Sequence, residues 1–135
     1  MTDTAPAAPA PAPALPEPPA PGRPVRLTVL LRLDAGWHPV CEGAGLLPGR
    51  GVAALLPGGE QAALFLDRRG RLYAIDNRDP FTGAAVLSRG LTGSADGVPY
   101  VASPLLKQRF ALTTGRCLDE DGVSVRVYET RTLAE

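Results

Sequence analysis

Along residues 25–33 apolar side chains fall at every second position, with Val25, Leu27, Val29, Leu31 and Leu33 set against Arg26, Thr28 and Arg32 and with Leu30 as the exception. Successive strand side chains point to opposite faces, so this period of two predicts a strand with one buried face, and a sheet edge is one place for it. Asp34-Ala35-Gly36 then turns the chain into a second short strand, 37–41, whose Trp37 is expected to anchor the core. Residues 42–49, with three glycines and a proline, read as a loop or a single helical turn. Strands at 51–56, 61–67 and 71–76 follow, joined by Pro57-Gly58-Gly59-Glu60 and Arg68-Arg69-Gly70. Short strands linked by glycine-containing turns predict an antiparallel meander. A Gly/Asp-rich turn leads on to strands at 99–103, 109–113 and 123–132, the last alternating Val123, Val125 and Val127 with Ser124, Arg126 and Tyr128. No segment carries a helical period beyond a turn or two. The predicted class is therefore all-β, an antiparallel sandwich or barrel.

Composition moves one boundary. Residues 1–24 hold nine of the fifteen prolines and little else but alanine. Proline supplies no amide donor and blocks helix, so this segment is expected to be an extended, solvated tail, leaving 25–135 as one domain. After Pro24 the chain carries 13 basic and 12 acidic side chains. That balance gives no pull toward nucleic acid or an anionic membrane. No run of about 20 apolar residues is present to span a bilayer. The start, with Asp3 and then mostly alanine and proline, lacks the basic region of a signal peptide, so a cytoplasmic location is expected.

The inventory of reactive side chains is short. Cys41 and Cys117 form no CxxC or other metal-ligand spacing, and two partly buried thiols are expected rather than a disulfide. His38 is the single histidine and falls in the second strand, facing solvent or a polar neighbour. A Rieske cluster needs two Cys and two His, and a zinc site built from Cys and His alone needs four ligands, so neither count is met. With one histidine in a strand, no Ser/His/Asp or Cys/His arrangement is expected, and no glycine-rich phosphate loop lies between a strand and a helix. The run Asp119-Glu120-Asp121 reads as solvated turn residues. No catalytic and no metal-binding residue is predicted.

The most distinctive stretch is 73–110, with two proline-containing loops. The first contains Asp79-Pro80-Phe81-Thr82-Gly83, and the second runs from Ser103-Pro104-Leu105-Leu106-Lys107 to Phe110. This frame resembles that of Rieske iron–sulfur domains, whose loops read Cys-Pro-His-x-Gly and Cys-Pro-x-His-x-x-x-Phe. Here the four ligand positions are occupied by Asp79, Phe81, Ser103 and Leu106. With Trp37-x-x-Val40-Cys41, Ala62-Ala63-Leu64-Phe65, Tyr73-Ala74-Ile75-Asp76-Asn77, Val86-Leu87-Ser88-Arg89-Gly90 and Thr114-Gly115-Arg116-Cys117 in order, the chain resembles the small subunits of assimilatory NAD(P)H-dependent nitrite reductases, a Rieske-like family without the cluster ligands.

The resemblance implies a Rieske-like β-sandwich or barrel with two loops protruding side by side. It also implies a cytoplasmic, non-catalytic subunit that docks on a large subunit carrying the flavin, siroheme and iron–sulfur cluster used to reduce nitrite to ammonium. The small chain itself would hold no cofactor. Phe81 and Leu106, with Leu105, are then expected to fill the former cluster site as an apolar plug, and Asp79 and Ser103 to act as turn formers bonding nearby amides. Arg78, Arg89, Lys107, Arg109 and Arg116 surround the loops. Both a scatter of solvated charge and a basic rim around an apolar partner-binding centre fit them, the centre being Phe81, Leu105 and Leu106. Two other functions remain open: a Rieske-type ferredoxin carrying electrons, and a freestanding β-barrel binding module.

Overall fold

The computed structural model describes residues 27–134, so the expected tail at 1–24 lies outside the described residues. Ten strands run in chain order as β1 (Leu27–Leu33), β2 (Gly36–Glu42), β3 (Val52–Leu55), β4 (Gln61–Leu66), β5 (Leu72–Asp76), β6 (Leu91–Ala95), β7 (Val98–Ala102), β8 (Arg109–Ala111), β9 (Val127–Tyr128) and β10 (Thr130–Ala134). They form three antiparallel sheets, ordered β10-β1-β2, β3-β4-β5-β9 and β6-β7-β8. Among the described residues there is no α-helix, only short 3-10 turns at Gly43–Gly45 and Leu87–Arg89.

The β3-β4-β5-β9 sheet is the middle layer, and β4 shows why. Its Ala62 and Leu64 join Val29, Leu31, Ala54, Ala74 and Tyr128 in one apolar cluster. Its Ala63 and Phe65 join Ile75, Leu87, Val101, Phe110 and Val125 in another. A strand apolar on both faces must be covered on both, and the two outer sheets do this. Each fully buried Leu, Ile or Phe contributes about 1.5–3 kcal/mol.

The alternation along β1 is reproduced, with Val29 and Leu31 fully buried. β1 is not an edge, however, because β10 and β2 flank it on either side. Trp37 does not anchor the core. Its strand β2 pairs only with β1 among the described residues, opposite Arg32, and the partly exposed ring lies near the Arg32 and Arg131 guanidinium groups, 6.0 and 4.6 Å from its centroid. The Gly/Asp-rich turn holds an extra strand, β6, joined to β7 by a two-residue Asp96-Gly97 turn with φ of 51° and 80°. Two positive φ values match the right-handed twist of a hairpin. The strand expected at 123–132 is broken, because Arg126 and Val127 are exposed in succession before Tyr128 is buried. That slip lets β9 join the middle sheet and β10 an outer one. Both cysteines are free thiols, Cys41 packed against the first cluster and Cys117 within the second.

Candidate functional site

Loop 1 (79–84) follows β5 and loop 2 (103–108) joins β7 to β8, and their backbones are near-copies. In the first, Asp79 N–H donates to Ala84 O (2.8 Å) and Gly83 N–H to Asp79 O (2.7 Å). In the second, Ser103 N–H donates to Gln108 O (2.9 Å) and Lys107 N–H to Ser103 O (3.1 Å). The side chain of each first residue caps the turn as well. Phe81 N–H donates to Asp79 Oδ1 (2.8 Å) and Leu105 N–H to Ser103 Oγ (3.3 Å). The fifth residue of each is left-handed, Gly83 at φ 79° and Lys107 at φ 71°. The same frame closes the turn after β8, where Ala111 N–H bonds Arg116 O and Gly115 N–H bonds Ala111 O, with Gly115 at φ 77°.

The expectation that Asp79 and Ser103 bond nearby amides therefore holds, but it is half of what they do. Both are 0% exposed, and the Ser103 hydroxyl donates to Asp79 Oδ2 at 2.6 Å, across 24 positions of sequence. This short hydroxyl-to-carboxylate bond joins the two loops. Loop 1 is further tied down by Asn77, also buried, whose amide donates to Gln61 Oε1 (2.9 Å) and whose Oδ1 accepts from Ser88 N–H (2.7 Å). Asn77, Asp79, Ser88 and Ser103 make up the buried polar side chains among the described residues, and all four sit at this end. The Asp79–Ser103 pair was missed in the sequence, yet its signal was there. Positions that would converge on one cluster in a ligand-bearing relative must converge on each other when the cluster ligands are replaced.

No apolar plug forms. Phe81 turns toward the second cluster, its ring 6.2 Å from that of Phe110, while Leu105 and Leu106 are 49% and 53% exposed. The Asp79–Ser103 pair joins the loops instead. Arg78 is exposed and its guanidinium donates to Gly83 O, and Arg89 and Arg116 are also exposed. Lys107 Nζ reaches Pro104 O at 3.3 Å. None of these four cations forms an ion pair among the described residues. Arg109 differs. It forks onto Asp119 (Nη2 to Oδ1 2.7 Å) and stacks 5.4 Å from the Tyr100 centroid. The Asp119 hydrogen bonds raise the Arg109 pKa, and the same bonds hold the Asp119 carboxyl below its usual range. An open groove of about 450 Å³ is lined in part by Leu47, Arg50, Val52, Ser88 and Arg89.

The donor set at the loops does not fit a [2Fe–2S] group. Phe81 and Leu106 have no donor atom, and Asp79 and Ser103 spend their oxygens on each other and on the turns. Among the described residues no three His, Cys, Asp or Glu side chains gather where they could hold a metal ion. His38 stays on β2 in an outer sheet, whereas the loops extend from β5 and β7.

Comparison with known proteins places the fold. The family described as a Rieske-like [2Fe-2S] domain matches residues 36–135. The nitrite reductase (NADH) small subunit of Salmonella typhimurium is 47% identical over 96 residues, covering 70% of this chain and 88% of the relative. A segment of the nitrite reductase [NAD(P)H] large subunit of Klebsiella oxytoca is 40% identical over 116 residues, covering 85% of this chain but 11% of that one. Among solved structures, the NMR structure of the E. coli protein NirD matches with a TM-score of 0.62 at 43% identity, covering 71% of this chain and 93% of that one.

Proposed function

This chain belongs to the Rieske-like family of nitrite reductase (NADH) small subunits, and from that premise we propose that it is a non-catalytic subunit that docks on and stabilises the large subunit. The observation that carries the reading is the Klebsiella oxytoca large subunit, which contains a domain of this kind within its own chain. Fusion puts such a domain at high effective concentration beside the rest of its enzyme, which is useful where the two parts work in contact. The docking face is the loop end: Arg78, Phe81, Arg89, Leu105, Leu106 and Lys107, with Arg109 framed from within by Asp119. An apolar middle edged by cations, of which Arg78, Arg89 and Lys107 form no ion pair among the described residues, is the anatomy of a protein contact. The chain holds no cofactor of its own, and the flavin, siroheme and iron–sulfur cluster that serve nitrite reduction belong to the cytoplasmic large subunit. Neither nucleic acid nor membrane is a partner.

The test is co-expression of the two subunits, followed by affinity capture, iron analysis of the separated small chain, and nitrite-dependent NADH oxidation by the large subunit with and without it. Co-capture, an iron-free small chain and a large subunit that is less stable or slower alone are expected. Stoichiometric iron in the small chain, or failure to associate, overturns the reading.

A further inference from the structure

The twin loops part at three successive positions. At the third, Phe81 packs against Phe110 in loop 1, whereas Leu105 in loop 2 is 49% exposed. At the fourth, loop 1 presents the polar Thr82, whereas loop 2 presents Leu106 at 53% exposure. At the fifth, loop 1 and the turn after β8 place glycine in the left-handed region, whereas loop 2 places Lys107 there at φ 71°. A side chain at that φ crowds its own backbone. Nothing within the described chain compensates, because Lys107 Nζ finds one carbonyl, Pro104 O, and no carboxylate.

Loop 1 thus obeys each local rule and loop 2 departs from each in turn, on a shared frame whose base is fixed by the Asp79–Ser103 bond. Strain and exposed apolar surface that the fold itself does not use mark a surface shaped for something outside the chain. We propose that the 105–107 tip is the anchor of the docking face: Leu105 and Leu106 enter an apolar notch on the large subunit, and Lys107 meets a carboxylate at the notch's rim. The proposal rests on the docking reading above and deepens it by naming one loop and the chemistry of its partner. Charge complementarity supports the acidic rim, since Arg78 and Arg89 at the same end are likewise without ion pairs among the described residues. The capped turn also limits how much order the tip must gain on binding.

The experiment is a binding titration of the purified chain and its variants against the purified large subunit, with circular dichroism confirming that each variant is folded. Leu106→Asp and Lys107→Glu are each expected to weaken binding by about tenfold or more, as losses at a desolvated anchor do. Leu55→Asp, at a residue on β3 that is 71% exposed, is expected to change it by less than about threefold, as rim or non-contact positions do. Wild-type affinity falls as salt rises, and Lys107→Gln flattens that dependence. Tight binding by the wild type with Leu106→Asp and Lys107→Glu unimpaired overturns this inference while leaving the docking reading in place. A loss confined to Leu55→Asp overturns it in favour of the β3 edge. No binding by the wild type overturns the docking reading and this inference together.

Discussion

Val29, Leu31, Leu64 and Ala74 in the first apolar cluster are buried and need only surface to cover, whereas Asn77, Asp79 and Ser103 at the loop end are buried as well and each side chain is held by particular hydrogen-bond partners. Apolar burial is non-directional and scales with area. A buried polar group instead keeps its full desolvation cost as soon as its partner is removed. The sheet half should therefore accept changes of shape at constant volume, and the loop end should accept almost none. A Rieske domain solves the same joint with a metal cluster and four ligands. Here a hydroxyl and a carboxylate join the two loops directly.

The sharpest break of that contrast is Asp79→Ala. It removes the bond to Ser103 and the cap on Phe81 N–H and leaves a buried hydroxyl and a part-buried amide without their acceptor, so a loss of about 4 kcal/mol in urea unfolding is expected. Leu31→Met, which keeps volume at a fully buried apolar site, should cost less than about 1.5 kcal/mol. Equal losses from the two would refute the comparison. Ser103→Ala comes next at about 2 kcal/mol, since it leaves Asp79 Oδ2 without its donor. The Asp79→Ala/Ser103→Ala double variant should then lose about 1–2 kcal/mol less than the two single losses added together, because both singles break one bond.

The same contrast explains what was legible in the sequence. Strands β1, β2, β3, β4, β5, β7 and β8 were visible because period-two patterning and glycine turns report apolar faces directly. β6 was not, since Gly93 at its centre weakens the strand signal, and Tyr100 supplies the packing, its hydroxyl lying 2.6 Å from where a Cβ on Gly93 would stand. Trp37 misled because a large ring suggests a core, while its edge strand offered two arginines to lie against. The loop frame was legible from its prolines and Gly83. The fate of its side chains was not, since Phe81 and Leu106 were assumed to point where imidazoles would. The polar joint depends on a pairing across 24 residues that no local pattern encodes.

The left-handed positions test the loops at smaller energy. Gly83 sits at φ 79° with open space where a Cβ would lie, so Gly83→Ala should cost about 1–2 kcal/mol through backbone strain alone. Lys107 sits at nearly the same φ, and Lys107→Gly should stabilise by about 1 kcal/mol, the relief of strain being offset in part by glycine's greater freedom when unfolded. Thermal melts of the two variants should move in opposite directions. A destabilised Lys107→Gly would show that the lysine contributes to the fold, and its strain would then need no partner to explain it.

Asp119 gives the smallest effect and isolates burial as the cause. Arg109 donates to it from Nε, Nη2 and the backbone amide, so Asp119 accepts more hydrogen bonds than Asp79 does. These bonds, those of the Arg109 side chain first, hold its pKa below the ordinary carboxylate value. A carboxyl whose pKa is lower folded than unfolded stabilises the fold above the unfolded value, and that contribution disappears as pH falls through the folded one. Asp119→Asn should therefore reduce the loss of stability on acidification through and below the usual carboxylate range, read from urea midpoints taken at stepped pH. Yet the two side chains are 36% and 34% exposed, and solvent screens what they exchange. Its cost at neutral pH should then fall well below that of Ser103→Ala, although Ser103 donates one bond where Arg109 donates several. If the exposed pair proves as costly as the buried one, the number of bonds and not their burial governs this fold, and the loop end loses its special status.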